Sequence, residues 1–195
     1  FESSTDGLTV TVTDVTTSEA DTITGVETLR FGDGDITVSH ANGQLVLTGS
    51  DIGDNITVVG SVAVTVAGVG GDDTIDIVGG RGDDTIDGGA GDSDVVVFAG
   101  DQSGYTFESS TDGLTVTVTD VATSEADTIT GVETLRFGDG SEITVSQDET
   151  SGQLVLTGSA GADDITVVGS VAVMVRGVGG DDTIDGGLGD DTIDG

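Results

Sequence analysis

The chain has 195 residues, of which 37 are Asp or Glu and four are Lys or Arg, and its formal net charge is −33. This balance excludes nucleic acid as a partner, because nucleic-acid binding needs clustered basic side chains, and it argues against insertion into an anionic membrane. No apolar run approaches the roughly 20 residues that cross a bilayer, and no signal peptide is recognised. A compact chain with this charge repels itself, so we expect bound cations to neutralise some of it.

The apolar residues predict a β protein with a thin core. Aromatic residues make up 3% of the chain, Gly fills 34 positions, and Cys and Pro are absent. Without Cys, disulfides cannot stabilise the fold, and the absence of Pro suits long uninterrupted strand ladders. The remaining apolar residues are mostly Val, Ile and Leu, and the β-branched pair among them favours strands.

From the N-terminus, alternating Thr and apolar residues in Gly7–Val15 predict a half-buried strand. Further short strands between Gly, Asp and Asn turns are predicted at Ile36–Val38, Leu45–Leu47, Ile56–Val59 and Val62–Val66. No segment has a convincing 3.6-residue apolar period, so the sequence predicts an all-β fold.

A nine-residue repeat follows these strands. Its pattern is Gly-Gly-x-Gly-x-Asp-x-apolar-x, with departures at the second place in two copies and at the sixth place in one. The copies are Gly68–Asp76, Gly79–Asp87, Gly88–Val96, Gly177–Asp185 and Gly186–Asp194. Gly accepts positive φ, so the first six residues can make a tight turn with carbonyls pointing inward. The last three form a minimal strand whose middle residue faces the core, and these core residues are Ile75, Ile86, Val95, Ile184 and Ile193.

Two nonapeptides make one coil of a parallel β-roll, so that turns stack along both edges of the roll. Carbonyl oxygens and Asp carboxylates of stacked turns form an all-oxygen cage, which suits Ca²⁺ better than Mg²⁺ because calcium accepts six to eight ligands in flexible geometry. The predicted fold is therefore an all-β parallel β-roll, or β-solenoid, whose calcium-binding turns alternate with additional strand segments in tandem units.

The whole arrangement occurs twice. Phe1–Gly34 recurs 106 residues later as Phe107–Gly140 with one substitution, and after small insertions GQLVLTGS at Gly43–Ser50 recurs 109 residues later. The first unit is residues 1–106, divided into a strand-rich segment (1–48), a β-roll (49–98) and a flank (99–106). The second, truncated unit is residues 107–195, divided into a strand-rich segment (107–157) and a β-roll (158–195). A tandem array is favoured over a simple pair of duplicated domains, because neither end has the polar cap that repeat arrays need.

The nonapeptides resemble those of the repeats-in-toxin (RTX) family, a calcium-binding repeat. The segments VVVFAGDQSGYTF and DTITGVETLRFGDG also resemble the flank that follows such arrays in secreted members. The resemblance implies that the sixth-position carboxylates bind calcium, and these are Asp73, Asp84, Asp182 and Asp191. It implies main-chain carbonyl ligands from the residues before them, Asp72, Asp83, Asp181 and Asp190.

The remaining acidic residues fit this pattern less regularly. In Gly88–Val96 the sixth place is Ser93, so Asp92 or Asp94 substitutes there or the site is weak. The outlying turn Gly158–Thr166 fits the pattern with Asp163 as a ligand. Its counterpart in the first unit, Gly49–Thr57, fits the pattern less well, with Asp54 at the equivalent place. Asp residues outside the array are interpreted as solvated surface charge, and these include Asp14, Asp21, Asp120 and Asp127.

The expected function is a calcium-dependent structural or adhesive segment of a large secreted bacterial surface protein or extracellular fibre. The family resemblance implies type I secretion from a Gram-negative cell, with folding on calcium binding after export. The partners are calcium ions, and side-by-side or end-to-end association of chains stays open. The alternative is a secretion-and-folding module of an enzyme or toxin whose catalytic domain lies elsewhere. A third hypothesis is a binder of glycans, mineral or ice through Thr faces such as Thr9, Thr11 and Thr13 or Thr115, Thr117 and Thr119.

Catalysis by this chain is not expected. His40 is the only imidazole and is replaced by Gln147 in the second unit, while Lys and Cys nucleophiles are absent. The tripeptide Arg81-Gly82-Asp83 lies inside a nonapeptide turn, so receptor recognition through it is disfavoured. The glycosylation sequon at Asn55 is interpreted as coincidence, because Asp164 replaces it in the second unit.

Overall fold

A computed structural model of the chain describes residues 1–3, 9–13, 17–31, 34–77 and 82–195. These ranges form short β-strands and one 3-10 turn at Gln102–Gly104, with no α-helix among them. The all-β prediction is confirmed. The predicted strand Gly7–Val15 is observed as Thr9–Thr13, and its two ends lie outside the described residues.

The first unit contains eleven strands within the described ranges. In chain order they are β1 (Glu2–Ser3), β2 (Thr9–Thr13), β3 (Ala20–Thr24), β4 (Thr28–Arg30), β5 (Asp35–Ala41), β6 (Gln44–Thr48), β7 (Asn55–Thr57), β8 (Val64–Ala67), β9 (Thr74–Asp76), β10 (Thr85–Asp87) and β11 (Val95–Val97). The hairpin of β5 and β6 turns at Asn42 and Gly43, which both have positive φ. An Asn-Gly pair is the favoured two-residue hairpin turn, so the local sequence specifies this connection.

The second unit repeats these elements. Its strands are β12 (Tyr105–Ser109), β13 (Thr115–Asp120), β14 (Ala126–Thr130), β15 (Thr134–Arg136), β16 (Glu142–Gln147), β17 (Leu154–Thr157), β18 (Asp164–Thr166), β19 (Met174–Arg176), β20 (Thr183–Asp185) and β21 (Thr192–Asp194).

The first β-roll alternates between two sheets as the chain advances. Strands β6, β8, β10 and β14 run parallel in one sheet, and strands β7, β9, β11 and β15 run parallel in the other. The registers join equivalent residues of successive coils, such as Val66 with Ile86 and Ile56 with Ile75. This is the parallel β-solenoid that the nonapeptide spacing predicts.

The segments between the calcium-type turns continue the solenoid, a point that the sequence left open. The chain leaves the roll after β11, forms the antiparallel hairpin β12–β13, and returns with β14 beside β10 and β15 beside β11. The second roll extends the same sheet. Strand β16 pairs antiparallel with β15 and with β17. Strand β19 then pairs parallel with β17 and with β21. Strands β18 and β20 form the other face of the second roll, and a parallel bridge joins Phe107 of β12 to Val167 beside β18.

The core lies between the two faces of the roll. Ile75 and Ile86 are fully buried, as the repeat pattern predicts. The prediction for Val95 is wrong, because Val96 is the buried residue and pairs with Ile75. The turn before β11 is one residue longer than in the other copies, so the inward position moves by one. Ile193, also predicted to face the core, is half exposed because no further coil covers β21 among the described residues.

Aromatic side chains gather at the boundary between the two units. Phe98 and Phe137 stack with their ring centroids 5.5 Å apart, and Tyr105 lies 5.1 Å from Phe98. Phe107 packs edge-on against Phe137 at 6.1 Å. Such aromatic pairs add about 0.5–1.5 kcal/mol each beyond the area that they bury. The few aromatic residues of the chain thus hold the flank of the first unit against the start of the second.

Candidate metal centre

The turns of the first roll stack along two edges. Edge A connects the β6-containing sheet to the β7-containing sheet and carries one acid per coil, namely Asp54, Asp73, Asp94 and Glu133. Edge B returns in the other direction and carries Val64, Asp84 and Asp127 at the equivalent places. In both cases the acid stands immediately before a strand or at its start, two residues before a buried apolar residue.

On edge A, each carboxylate after that of Asp54 is hydrogen-bonded to the previous coil. The Asp54 amide donates to Asp73 Oδ1 at 2.7 Å, and the Asp73 amide donates to Asp94 Oδ1 at 2.7 Å. The Asp94 amide donates to Glu133 Oε2 at 2.9 Å. Four acids of four coils therefore form one continuous ladder of carboxylates and amides.

Edge B has the same ladder with fewer acids. The Val64 amide donates to Asp84 Oδ1 at 2.8 Å, and the Asp84 amide donates to Asp127 Oδ1 at 2.9 Å. Val64 occupies the place of the acid in the first coil, so this edge has its carboxylates only toward the second unit. The Ala126 amide also donates to Asp83 Oδ1 at 2.9 Å, which brings a second carboxylate to the same junction.

The second roll repeats both interactions. The Asp163 amide donates to Asp182 Oδ1 at 3.0 Å, as Asp54 does to Asp73. The Val173 amide donates to Asp191 Oδ1 at 3.0 Å, as Val64 does to Asp84. The same sequence pattern thus produces the same carboxylate position in both units.

The edge A ladder and its counterpart in the second roll leave carboxylate oxygens that are buried and have no hydrogen-bond partner. These atoms are Asp73 Oδ2, Asp94 Oδ2, Asp163 Oδ1 and Asp182 Oδ2. A buried charged oxygen without a partner costs free energy unless a proton or a cation neutralises it. The unpaired atoms recur at equivalent places in the two rolls, so they mark a repeated position for a positive charge.

Glycines keep the space around these oxygens open. A Cβ atom on Gly68 would lie 2.0 Å from Asp73 Oδ2 and 2.3 Å from the carbonyl oxygen of Gly88 in the next coil. A Cβ atom on Gly177 would lie 2.1 Å from Asp182 Oδ2. Carboxylate and carbonyl oxygens therefore crowd the same side of the first glycine in each turn. An all-oxygen set of this kind, taken from two adjacent coils, fits the ligands that Ca²⁺ takes.

Burial changes the acid–base properties of the ladder acids. It raises the pKa of Asp73 and of Asp84 to about 6, and nearby carboxylates add to the effect. Burial, together with the charge of Asp84, raises the pKa of Asp127 to about 7. Burial also raises the pKa of Asp94. At neutral pH these groups ionise at a cost to the folded state, which a bound cation would remove.

The two residues that the sequence offered for the third turn lie in different surroundings. Asp94 is buried in the ladder, whereas Asp92 is exposed and contributes only its amide, which donates to Asp72 Oδ1 at 3.3 Å. Asp54 and Asp163 begin the ladders of their rolls, and each also accepts a 2.7 Å hydrogen bond from the amide of a Ser, Ser50 and Ser159.

The acids predicted to act through their carbonyls have exposed side chains. They are Asp72, Asp83, Asp181 and Asp190. The carbonyl oxygen of Asp72 lies 2.5 Å from the Cβ position on Gly53 in the neighbouring coil, so this main chain approaches the stacked turn closely. Within the described ranges, no three acidic or imidazole side chains converge on one point. Each candidate centre therefore relies on one or two carboxylates, and carbonyls must supply the other ligands.

Sequence reasoning missed two members of the ladders. Asp127 was interpreted as solvated surface charge, and this is wrong because it accepts the Asp84 amide and is half-buried. Glu133 lies outside the nonapeptide pattern. A signal was present, because both precede an apolar residue by two places, Ile129 and Leu135, as the nonapeptide acids do.

Comparison with known proteins agrees with this geometry. Residues 68–95 and 174–195 match the family model of the RTX calcium-binding nonapeptide repeat in four copies. The chain contains RTX repeats. The two matched ranges contain five of the ladder acids, Asp73, Asp84, Asp94, Asp182 and Asp191. No curated protein matches the sequence at a significant level.

Among solved structures, the chain is similar to the extracellular lipase LipA from Serratia marcescens, with 19% sequence identity and a TM-score of 0.41. The similarity covers 80% of this chain and 28% of the lipase chain. The chain thus spans little more than a quarter of that protein.

The weaker signals of the sequence have no place in the RTX ladders. His40 is exposed on β5, and Asn55 is exposed on β7. Arg81 lies outside the described residues, so the structure does not describe the Arg-Gly-Asp tripeptide as a whole. In the described ranges of the chain, no helix has the length and apolarity needed to cross a membrane.

Proposed function

We propose that this chain is a calcium-dependent structural segment of a secreted bacterial protein, which acts outside the cell as a stiff spacer or adhesive stalk. The observation that carries the proposal is the repeated carboxylate ladder, in which buried oxygens such as Asp73 Oδ2 and Asp182 Oδ2 lack a partner. The RTX repeats name calcium as the cation, and the all-oxygen surroundings support it.

The residues that would hold the cations are the ladder acids together with the carbonyls of stacked turns. On edge A these acids are Asp54, Asp73, Asp94 and Glu133. On edge B they are Asp84 and Asp127, and in the second roll Asp163, Asp182 and Asp191. Bound calcium would supply the positive charge that allows these buried carboxylates to stay ionised at neutral pH.

The same charges explain why folding would wait until export. With a net charge of −33 and a thin core, the chain cannot offset its own repulsion and conformational entropy without cations. At low cytosolic calcium the chain would stay unfolded, which suits passage through a secretion channel. Calcium at extracellular concentrations would then couple binding to folding in one step.

A spacer is favoured over a detached folding module because the sheets run through the unit boundary. Strands β14 and β15 of the second unit pair directly with β10 and β11 of the first. Phe137 of the second unit stacks on Phe98 of the first. Adjacent units joined in this way form one stiff body. We propose no catalytic role for the chain itself.

Small-angle X-ray scattering in calcium and in chelator tests the proposal. In chelator we expect a radius of gyration near the value of about 47 Å for an unfolded chain of this length, and in calcium a far smaller one with the profile of a rod. Magnesium at the same concentration serves as the control. A compact rod in all three conditions would contradict calcium-dependent folding, and a flexible pair of beads in calcium would contradict the stiff spacer.

A further inference from the structure

The first unit exposes two consecutive edge strands, β3 and β4, whose counterparts in the second unit are covered. Strands β3 and β4 have the sequences ADTIT and TLR, which recur 106 residues later in β14 and β15. Strand β14 pairs on one side with β13 and on the other with β10, whereas β3 pairs only with β2 among the described residues. Strand β15 lies between β11 and β16, whereas β4 has β5 as its only strand partner in the part of the chain that the structure describes. Two identical segments thus have different numbers of neighbours.

The apolar side chains of these segments show the same difference. Val26 is 39% exposed and its counterpart Val132 is 5% exposed. Phe31 is 41% exposed, and its counterpart Phe137 is 2% exposed. Phe98, at the end of the last coil of the first roll, stacks its ring on Phe137, and the rings of Tyr105 and Phe107 also contact Phe137.

The unpaired edge also carries the hydrogen-bond donors that the covered edge uses. The Thr128 amide donates to the Asp84 carbonyl at 2.8 Å, and the Thr134 amide donates to the Asp94 carbonyl at 3.0 Å. The equivalent residues in the first unit are Thr22 on β3 and the first residue of β4. An unpaired strand edge with this geometry is a template for another strand.

Acidic residues of the edge match the ladders as well. Asp127 and Glu133 end the two carboxylate ladders of the first roll by accepting amides from its last coil. Their counterparts Asp21 and Glu27 are exposed at the free edge. They stand where they would accept the same two amides from a coil placed against this edge.

We infer that the edge formed by β3 and β4, with Val26 and Phe31, is the docking surface for the last coil of another copy of this repeat unit. The docking coil is equivalent to Thr85–Phe98, and it would pair with this edge as that segment pairs with β14 and β15. The inference rests on the proposed role as a repeat segment, and it adds the interface through which units join.

The test uses a longer protein, in which a second copy of residues 43–106 precedes Phe1 of the full chain. Hydrogen exchange in saturating calcium is measured for residues 20–31 in both proteins, and residues 126–137 serve as the internal standard. In the original chain we expect residues 20–31 to exchange at least about tenfold faster than residues 126–137. In the longer protein we expect the two segments to exchange at similar rates.

A matched control carries Ile86→Asp and Val96→Asp in the added copy only, which keeps the added length and removes the docking coil. In this control, residues 20–31 should again exchange quickly. Fast exchange of residues 20–31 in the unsubstituted longer protein, with residues 126–137 protected, would overturn the inference. Protection of residues 126–137 in chelator would count against the proposed calcium dependence, and the comparison with residues 20–31 would still test the docking.

Substitution of Phe31 gives a second, independent readout. In the original chain Phe31→Ala should change the melting temperature far less than Phe137→Ala, because only the latter side chain is buried. In the longer protein the two substitutions should have similar effects. A Phe31→Ala variant that stays without effect in the longer protein would overturn the docking.

Discussion

Replacing Gly68 by Ala tests the crowded arrangement of oxygens at the candidate calcium sites. The new Cβ would lie 2.0 Å from Asp73 Oδ2 and 2.3 Å from the Gly88 carbonyl oxygen, whereas ordinary contact begins at 3.4 Å. Both oxygens must therefore move away from the new Cβ by more than an ångström, and the Gly88 oxygen belongs to the backbone of the next coil. Overpacking of this kind costs about 1–3 kcal/mol.

The expected size of the effect follows from the coupling of folding to calcium. In saturating calcium, a loss of about 1–3 kcal/mol lowers the melting temperature by roughly 2–12 °C for a chain of this size. In a calcium titration, a loss of about 2 kcal/mol raises the folding midpoint roughly 30-fold if one cation is coupled to folding, and roughly twofold if four are coupled. The free-energy loss obtained from melting, divided by RT times the natural logarithm of the fold-change in the calcium midpoint, therefore gives the number of cations coupled to folding.

Circular dichroism at the β minimum follows both the melting and the titration. Gly104→Ala is the matched control, because no atom lies within 4 Å of its Cβ position. Gly177→Ala should reproduce the effect in the second roll, where the Cβ would lie 2.1 Å from Asp182 Oδ2. If Gly68→Ala and Gly104→Ala melted at the same temperature in calcium, the described crowding at the turn would be wrong.

Four further predictions follow from the same geometry. Asp73→Asn should raise the calcium midpoint severalfold because a charged ligand is lost, and Asp72→Asn should leave the midpoint unchanged. Equal shifts of the midpoint would contradict a side-chain ligand at Asp73 and a main-chain carbonyl ligand at Asp72. Asp94→Asn should weaken calcium binding by calorimetry more than Asp92→Asn, since only the former side chain lies in the ladder. Val178→Gly should raise the melting temperature by a few degrees, because a β-branched residue there has a φ of +83°, and a lower value would refute this strain. In chelator, β content should increase as the pH falls from 7.5 to 5, because burial raises the pKa of Asp73, Asp84 and Asp127 to between about 6 and 7. The calcium-free fold is then stabilised below those pKa values and destabilised above them. A decrease in β content over this pH range would contradict the burial of these acids.

The repeat pattern in the sequence was sufficient to predict the roll and most of its inward residues. The nine-residue spacing places Ile75 and Ile86 in the core and an acid two residues before each of them. It failed at Val95, because the turn there has one extra residue and a fixed period cannot register a single insertion. The rule that an acid precedes the core residue by two places would have selected Asp94 and Val96.

The junction between units was beyond the sequence for a different reason. Asp127 joins the ladder only because β14 returns to β10 after an intervening hairpin, and the two residues that meet, Asp84 and Asp127, are 43 positions apart. No local period indicates such a return. The unusual residue at the second place of two nonapeptides was visible in the sequence, but its consequence, a positive φ at Val69 and Val178, needed the backbone geometry.

The most direct test of calcium-dependent folding is far-UV circular dichroism of the full chain during a calcium titration from chelator to about 10 mM, with magnesium in parallel. We predict a cooperative transition from coil to β structure in calcium and no transition in magnesium. A β spectrum that is the same in chelator and in calcium would contradict calcium-dependent folding, because the buried carboxylates would then be accommodated without a cation.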